Sequence, residues 1–393
     1  MKIVIFGLTI SSSWGNGHAT IWRGLCRALV RRGHNIIFFE KDVPYYASNR
    51  DLTEMPGVRL ILYTDWEEVI EEAKAELRSA DAGIVTSYCP DGIKASQHLL
   101  SSNALYKIFY DLDTPVTLKD LSKGKPVPYI MEEGLGEYDL VLSYTGGAAL
   151  DALKSRLGAR YTAPLYGSAD PLTHRPVDKS DSYRCEFSYL GTYASDRQAL
   201  LERLFIEPAR KLPEKRFIIG GSMYPEDFPW AGNIWYLAHI SPPDHPAFYC
   251  SSDFTLNITR GAMAEMGYCP SGRLFEAAAC GVPIISDTWA GLDQFFEPGR
   301  EIIIVSSTEE VTEALNMPNE ERLKIAKAAR ERVLRDHTGE QRAIEFEKIL
   351  EEFSKTEKQR RERYVGNNTG SGVRQQDTAT GIFKRTTSGR EPF

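Results

Sequence analysis

The sequence predicts an α/β fold built from two doubly wound parallel sheets. Short apolar runs rich in β-branched and aromatic residues alternate with amphipathic patterns of helical period, which is typical of parallel sheets covered by helices on both faces. The chain has 393 residues, more than a single core usually holds. Residues 171–184 are polar, contain proline and show no period, so they predict a linker between two domains.

The apolar runs predict each strand in turn. In the first half we expect strands at 2–7, 35–40, 58–63, 83–87, 105–111, 139–143 and 163–166. The clearest helical patterns between them cover 19–32, 66–79 and 147–157. After the linker, strands are expected at 186–190, 216–221, 234–238, 254–258, 282–286 and 302–305. Thr338 and Gln341 have the spacing of a capping box and predict the start of a last helix.

These elements divide the chain into five parts. We expect a first domain at 1–170, the linker at 171–184, a second domain at 185–336, a last helix at 337–353 and a tail at 354–393. The tail carries a net charge of +5, against −12 for the rest, and is rich in small and polar residues. We therefore predict a disordered basic tail. It could touch an anionic membrane surface peripherally, or be a solvated terminus without a role.

Composition excludes several classes of protein. The net charge of −7 disfavours a nucleic-acid partner, since a phosphate-binding surface favours a basic domain. No apolar run approaches the roughly 20 residues of a transmembrane helix, and Met1 leads directly into a strand pattern, so we predict a cytoplasmic protein. The six cysteines are scattered without Cys-x-x-Cys spacing, which suggests neither a zinc site nor a disulfide framework.

The most informative segment is 271–287, which predicts a loop, a short helix, a glycine stop and a buried strand. Glu276 is the lone carboxylate of that otherwise apolar helix, so it should face a cleft or a buried partner. Such a carboxylate can accept two vicinal hydroxyls, while the amides of Ser271 and Gly272 at the helix start can face an anion. The alternative is a carboxylate that offsets the helix dipole or pairs with Arg273.

Four motifs in order carry a resemblance to a known family. They are Gly-Tyr-Cys-Pro-Ser-Gly-Arg-Leu-Phe-Glu at 267–276 followed by Gly-Leu-Asp-Gln-Phe-Phe at 291–296, Leu-Gly-Thr-Tyr-Ala-Ser-Asp-Arg at 190–197, Phe-Thr-Leu-Asn-Ile-Thr-Arg at 254–260, and Tyr-Asp-Leu-Asp-Thr-Pro at 110–115. The chain resembles the GT-B glycosyltransferases, and closely the spore-maturation CgeB-like members. The resemblance implies two Rossmann-like domains facing across a cleft, with a last helix that crosses back to the first domain.

The same resemblance implies a donor site on the second domain for a UDP-, GDP- or dTDP-sugar, with no metal and no other cofactor. Glu276 would hold the ribose, and Gly191 and Arg197 would lie at the diphosphate, with Arg273 and Arg260 as further cations. An ordinary surface role for Arg197 is the alternative. Ile240 could offer backbone hydrogen bonds to the base. Tyr268 stands where related enzymes carry a first glutamate, so that carboxylate's role does not transfer, and Tyr268 could contribute a hydroxyl to the donor site instead.

The first domain would bind the acceptor, whose identity the sequence does not give. Gly15 and Gly17 in the loop after the first strand would let backbone approach a ligand closely. His18 follows at the start of a helix and is the candidate catalytic residue, either accepting a proton or merely capping that helix. Asp111 and Asp113 form an Asp-x-Asp motif that could bind sugar hydroxyls, loop amides or, as in metal-dependent transferases, a divalent cation.

The function predicted is metal-independent transfer of a sugar from a nucleotide-sugar donor to a glycan, a protein or a small molecule. A nucleotide-sugar epimerase of the same fold, a sugar phosphorylase and a non-catalytic sugar-binding or nucleotide-binding protein are the alternatives.

Overall fold

The computed structural model describes residues 1–15 and 17–369. Residues Met1–Ile349 form one compact unit that contains both sheets, and a second unit begins at Leu350. Within the described ranges, no helix combines the length and apolarity that a bilayer crossing needs.

The first sheet is parallel throughout. Among the described residues its strands are β1 (Lys2–Gly7), β2 (Asn35–Lys41), β3 (Val58–Tyr63), β4 (Ala82–Thr86), β5 (Tyr106–Asp111), β6 (Leu140–Ser143) and β7 (Thr162–Pro164). Their order is β3-β2-β1-β4-β5-β6-β7, so the winding direction reverses between β1 and β4. Ligands of such sheets bind beyond the carboxyl ends of the strands at this reversal.

The second sheet repeats the pattern. Among the described residues its strands are β8 (Cys185–Leu190), β9 (Phe217–Gly220), β10 (Ile234–Leu237), β11 (Ser252–Asn257), β12 (Ile284–Ser286) and β13 (Ile303–Ile304). Their order is β10-β9-β8-β11-β12-β13, and the reversal falls between β8 and β11. The predicted fold class of two doubly wound parallel sheets is confirmed.

Helices cover both sheets. Those of the first half are α1 (His18–Arg31), α2 (Pro44–Ala47), α3 (Trp66–Arg78), α4 (Gly92–Leu100), α5 (Thr114–Ser122) and α6 (Ala148–Leu157). Those of the second half are α7 (Gln198–Leu201), α8 (Glu207–Lys211), α9 (His245–Cys250), α10 (Gly261–Met266), α11 (Gly272–Cys280), α12 (Thr308–Ala314), α13 (Asn319–Asp336) and α14 (Gly339–Thr369). A single π-helical turn, Glu202–Ile206, joins α7 to α8.

The strands form where the sequence is apolar on both faces, because each sheet is covered on both sides. All residues of β1 after Lys2 are buried, and so is the whole of β4. Phe6 of β1 stacks on Phe39 of β2 with ring centroids 4.9 Å apart. The apolar core thereby fixes the strand ends, from which the functional loops extend.

The chain returns to the first half after α13. Ala169 donates its amide to the carbonyl of His337 at 2.9 Å, and Gly339 donates back to the carbonyl of Ala169 at 3.2 Å. Arg342 in the first turns of α14 donates from Nε to the carbonyl of Gly167 at 3.1 Å. Gln341 donates its amide to Thr338 Oγ1 at 3.3 Å, as the predicted cap requires.

The prediction of disorder from residue 354 is wrong for the part of the tail that the structure describes. Helix α14 continues without a break to Thr369. Pairs such as Arg360 with Glu357, at 3.2 Å, and Lys355 with Glu351, at 3.9 Å, have helical spacing, and such pairs support a helix with few apolar residues. Residues 370–393 of the predicted tail lie outside the described residues.

Candidate functional site

Glu276 lies on α11, whose amino terminus points into the space between the two sheets' domains. Ser271 is the N-cap residue, and the first amides of a helix have no acceptor within the helix. The Glu276 side chain is 16% exposed. Ser271, Gly272 and Glu276 all line one cavity of about 250 Å³. The predicted combination of one carboxylate with a helix amino terminus is therefore present in a cleft.

The opposite wall of this cavity comes from the first half. His18 and Asp113 line it, together with residues at the start of α1 and α5. The structure thus brings predicted residues from the two halves, His18, Asp113 and Glu276, around one space. Arg260 lines the same cavity, and its side chain is 54% exposed.

His18 and Asp113 form a hydrogen-bonded pair. His18 Nε2 lies 2.9 Å from Asp113 Oδ2, and Ser87 donates its hydroxyl to the same oxygen at 2.9 Å. His18 Nδ1 is buried and has no hydrogen-bond partner among the described residues. The ring is therefore oriented by the carboxylate rather than used as a helix cap. Neither this contact nor the role of Ser87 was predicted, because the pairing of strand ends cannot be inferred from spacing alone.

Asp111 corrects part of the prediction for the Asp-x-Asp motif. It is fully buried, and its Oδ1 accepts hydrogen bonds from the Asp113 amide at 3.0 Å and from Thr117 Oγ1 at 3.1 Å. Burial, helped by the nearby Asp113 carboxylate, raises the pKa of Asp111 to about 7. Its carboxyl group thus organises the loop, which leaves Asp113 alone to face the cavity and gives no paired carboxylates for a cation.

A second cavity of about 280 Å³ lies beside the first. Its lining includes the predicted residues Gly15, Gly17, Gly191 and Ile240. Gly191 is closely packed, because a Cβ there would lie 2.8 Å from Arg273 Nη2 and 2.9 Å from the Tyr189 hydroxyl, and these side chains would have to shift. The loops after β1 and β8, which carry these glycines, therefore face each other as predicted.

An aromatic contact crosses this second cavity. Trp14, in the loop after β1, lies over His239 with ring centroids 4.1 Å apart. Both residues line the cavity. Trp14 was not singled out from the sequence, although an aromatic residue inside a glycine-rich loop is a usable signal for a ligand-facing position.

The arginines are used differently from the prediction. Arg197 is 9% exposed, donates from Nη2 to the Thr192 carbonyl at 2.5 Å, and is not among the residues that line the two cavities. Burial lowers its pKa. Arg273 donates to the Leu190 carbonyl at 2.5 Å and to Asn257 Oδ1 at 3.0 Å, so it ties the ends of β8 and β11 together. Of the predicted cations, Arg260 is the one that lines the cavity with Glu276.

Tyr268 lies next to the cleft as a packing element. Its ring fills the space beside Gly147 and Gly291, where an added Cβ would come within 2.4 Å of it. Its carbonyl accepts the Gly146 amide at 3.0 Å, and its φ of 48° is unusual for a residue with a side chain. Tyr268 thus joins the two halves, and the prediction of a hydroxyl contribution to the donor site has no support in its contacts.

Two histidines that sequence reasoning missed or set aside lie against Glu276. His174 Nε2, from the linker, is 4.0 Å from Glu276 Oε1, and His245 at the start of α9 belongs to the same cluster. Both also line a cavity of about 730 Å³ on the linker side. Residues 171–184 were predicted only to connect the two domains, so His174 was not considered as a site residue.

The geometry can be compared with known proteins. Residues 197–348 match the model of a family described as "Glycosyl transferase-like". This match runs from α7 into the first part of α14 and therefore includes the helix of Glu276. No curated protein sequence matches the chain.

Solved structures match nearly the whole chain. Sucrose-phosphate synthase from Thermosynechococcus elongatus has a TM-score of 0.66 at 15% identity, covering 90% of this chain and 99% of that one. The fold is that of the GT-B glycosyltransferases. HepE of Anabaena, solved with UDP-glucose, matches at a TM-score of 0.60 and 12% identity, over 90% of this chain and 100% of that one.

A third GT-B structure is an α-glucosyltransferase solved with UDP-glucose and DNA that contains an abasic site. It matches at a TM-score of 0.66 and 13% identity, over 89% of this chain and 99% of its own. The GT-B fold accounts for the two facing sheets and for the cleft between them. The closer resemblance to CgeB-like enzymes stays a prediction.

Proposed function

We propose that this protein is a glycosyltransferase that moves a sugar from a nucleotide-sugar donor to an acceptor, without a metal ion. The observation that carries the proposal is the cavity in which His18 and Asp113 of the first half face Glu276 and the α11 amino terminus of the second. The family match over residues 197–348 and the GT-B fold support it.

The donor would lie along the second half. Glu276 would accept hydrogen bonds from the pentose hydroxyls, and the cavity lined by Gly191 and Ile240 would take the base and part of the diphosphate. The free amides at Ser271 and Gly272 and the guanidinium of Arg260 would face the diphosphate. HepE was solved with UDP-glucose, which favours a uridine diphosphate as the first donor to test.

The transfer step forms a bond between an acceptor oxygen and the anomeric carbon and breaks the bond from that carbon to the diphosphate oxygen. The acceptor hydroxyl loses its proton to His18, which Asp113 keeps in position. Negative charge appears on the departing diphosphate, where Arg260 and the helix amides stabilise it. No co-reactant beyond donor and acceptor is needed.

The acceptor would enter from the first half, beside α1 and α5. The net charge of −7 favours a glycan, a protein or a small molecule over DNA, so the DNA bound by the α-glucosyltransferase is not carried over. We propose that the reaction takes place in the cytoplasm, with a nucleotide sugar as the donor substrate.

The test combines binding with turnover. The purified chain is mixed with UDP-, GDP- and dTDP-sugars, and the shift of the unfolding temperature and the release of nucleotide are measured with and without candidate acceptors. A transferase binds at least one donor and releases nucleotide faster when an acceptor is present. Conversion of donor without acceptor would instead show an epimerase, and binding without turnover on any acceptor would show a binding protein.

Glu276→Ala tests the donor site. We expect the dissociation constant of the donor to rise about 10-fold or more, because charged hydrogen bonds worth roughly 1.5–3 kcal/mol are lost. Glu276→Gln keeps the size of the side chain but removes its charge, so it separates the effect of charge on donor binding from the effect of shape. Glu265→Ala, at an exposed residue of the half-buried helix α10, is the matched control and should bind donor like the wild type. Titration calorimetry measures all four proteins, and unchanged affinity in Glu276→Ala would remove Glu276 from the site.

A further inference from the structure

We infer that His174 and His245 complete, with Glu276, a three-point binding site for a pentose hydroxyl of the donor nucleotide. The inference rests on the proposed function and deepens it, because it assigns two residues and a ligand group to the inner wall of the donor site. Both histidines come from segments whose chemistry is otherwise unexplained.

The linker is folded so that it presents His174 inward. Asp170 accepts the Leu172 amide on Oδ1 at 3.0 Å, and its carbonyl accepts the amides of Thr173 at 2.9 Å and His174 at 2.7 Å. The Asp170 carboxylate also pairs with Arg27 of α1. A polar, proline-containing linker does not need such a tightly hydrogen-bonded turn merely to connect two domains.

His174 is a buried side chain that faces Glu276. It is 3% exposed, and its Nδ1 has no hydrogen-bond partner among the described residues. Its Nε2 lies 4.0 Å from Glu276 Oε1, which is too long for a direct hydrogen bond. An oxygen atom placed beside both could hydrogen-bond Nε2 and the carboxylate at once, and this is the geometry on which the inference rests.

His245 closes the third side. One ligand atom from each of His174, His245 and Glu276 lies within 4.8 Å of the others. His245 also lines the cavity that holds Gly191 and Ile240, so it stands between the proposed base and pentose positions. Burial lowers the pKa of both histidines, which keeps both rings neutral and able to donate or accept one hydrogen bond on each side.

The spacing of the three ligand atoms is compatible with an oxygen atom between them. A hydroxyl oxygen that makes three hydrogen bonds of about 2.8 Å places its partners about 4.6 Å apart. Zinc binds nitrogen and oxygen at about 2.0–2.2 Å, so three tetrahedral ligands would lie about 3.4 Å apart. The observed separation of 4.0 Å, with all three atoms within 4.8 Å of one another, lies between these values, and the zinc content of the purified protein separates the two cases.

The experiment measures binding of UDP and GDP, and of their 2′-deoxy and 3′-deoxy forms, and of dTDP and its 3′-deoxy form, to the full chain by calorimetry. In the wild type, loss of the recognised hydroxyl should weaken binding about 5-fold or more. His174→Leu should weaken binding of the parent nucleotide by about the same factor, and removal of that hydroxyl should then cost less than 2-fold. His174→Gln, which can present an amide near the position of Nε2, should restore most of the affinity. His98→Leu, at a histidine of α4 outside the site, is the control.

The outcomes separate the two proposals. If the wild type binds none of the nucleotides, the proposed function fails and this inference fails with it. In a second case, the wild type binds nucleotide while His174→Leu binds it equally well, or while His174→Leu loses affinity for the parent and the deoxy nucleotide by the same factor. Either result overturns the hydroxyl site and leaves the proposed function standing. Stoichiometric zinc in the purified protein that nucleotide displaces would also overturn it, because the cluster would then be a metal site.

Discussion

His18 owes its orientation to a residue 95 positions away in the chain. Asp113 Oδ2 lies 2.9 Å from His18 Nε2, so the ring directs its other nitrogen, Nδ1, away from the carboxylate. A carboxylate that accepts a hydrogen bond from one imidazole nitrogen fixes the orientation of the ring and selects its tautomer. In the proposed reaction, the ring held in this way takes the proton of the acceptor.

We expect His18→Gln to lower turnover by about 100-fold or more with the donor dissociation constant changed less than about 3-fold. Glutamine can still donate to Asp113 but cannot accept a proton at neutral pH. Nucleotide release at saturating donor measures turnover, and calorimetry measures donor binding. Ser87→Ala, which removes another hydrogen bond to Asp113, is the comparison and should lower turnover less. Equal losses of turnover and donor affinity in His18→Gln would show that His18 positions the donor instead.

Single residues stand out in the sequence where one chain segment supplies the whole signal. Glu276 stands out because it is the lone charge on an apolar helix, and His18 because it follows a glycine-rich loop. The contacts of Asp113 and His174 depend on which strand ends and loops meet, which the spacing of residues does not encode. Arg197 was expected at the donor diphosphate, with a surface role as the alternative, but the turn Ser195–Arg197 directs its side chain to the Thr192 carbonyl.

At the scale of elements, helix α6 is held between two glycines that differ in their surroundings. Gly147 at its start has φ 57° and ψ −136°, a conformation that side chains disfavour strongly, and an added Cβ would lie 2.4 Å from the Tyr268 ring. Gly158 at its end has φ 73° and ψ 11°, and an added Cβ would meet only ordinary contacts at 3.8 Å.

We therefore expect Gly147→Ala to lower the free energy of unfolding by about 1–3 kcal/mol more than Gly158→Ala does. In Gly158→Ala the only cost is that of holding alanine in a left-handed backbone conformation. Urea titration of both variants measures this difference. Repeating Gly147→Ala in a Tyr268→Ala background separates the clash with the Tyr268 ring from backbone strain. The loss of unfolding free energy caused by Gly147→Ala becomes smaller in that background only if the ring causes part of it. Similar losses for the two glycines would show that Tyr268 moves aside freely.

The predicted strand ends each lie within about two residues of those observed, because alternation of apolar runs and glycine or proline stops is a local signal. The last helix was the exception. Residues 354–369 have the composition of a disordered segment, and only the spacing of opposite charges along α14 indicates a helix. Composition averages over a window and does not register the three- and four-residue spacing that supports such a helix.

At the scale of the whole molecule, the return of the chain to the first half fixes the two sheets relative to each other. Arg342 is central to this return, since it is 3% exposed and donates to the Gly167 carbonyl at 3.1 Å and to His337 Nδ1 at 2.6 Å. It also pairs with Glu345 at 2.5 Å. Arg32, directly after α1, pairs with Glu347 and Glu340 nearby, but on the solvent side.

We expect Arg342→Leu to lower the free energy of unfolding by about 2–4 kcal/mol, because it leaves the Gly167 carbonyl and His337 Nδ1 buried without a donor. Arg32→Leu removes ion pairs that water and salt already screen, so the free energy of unfolding of this variant should change much less. Denaturant titration of both variants measures the contrast. Because the cleft depends on the two halves being held in register, Arg342→Leu should also weaken donor binding under conditions where it is still folded. A variant with full stability and unchanged donor affinity would show that the crossing helix does not hold the two halves together.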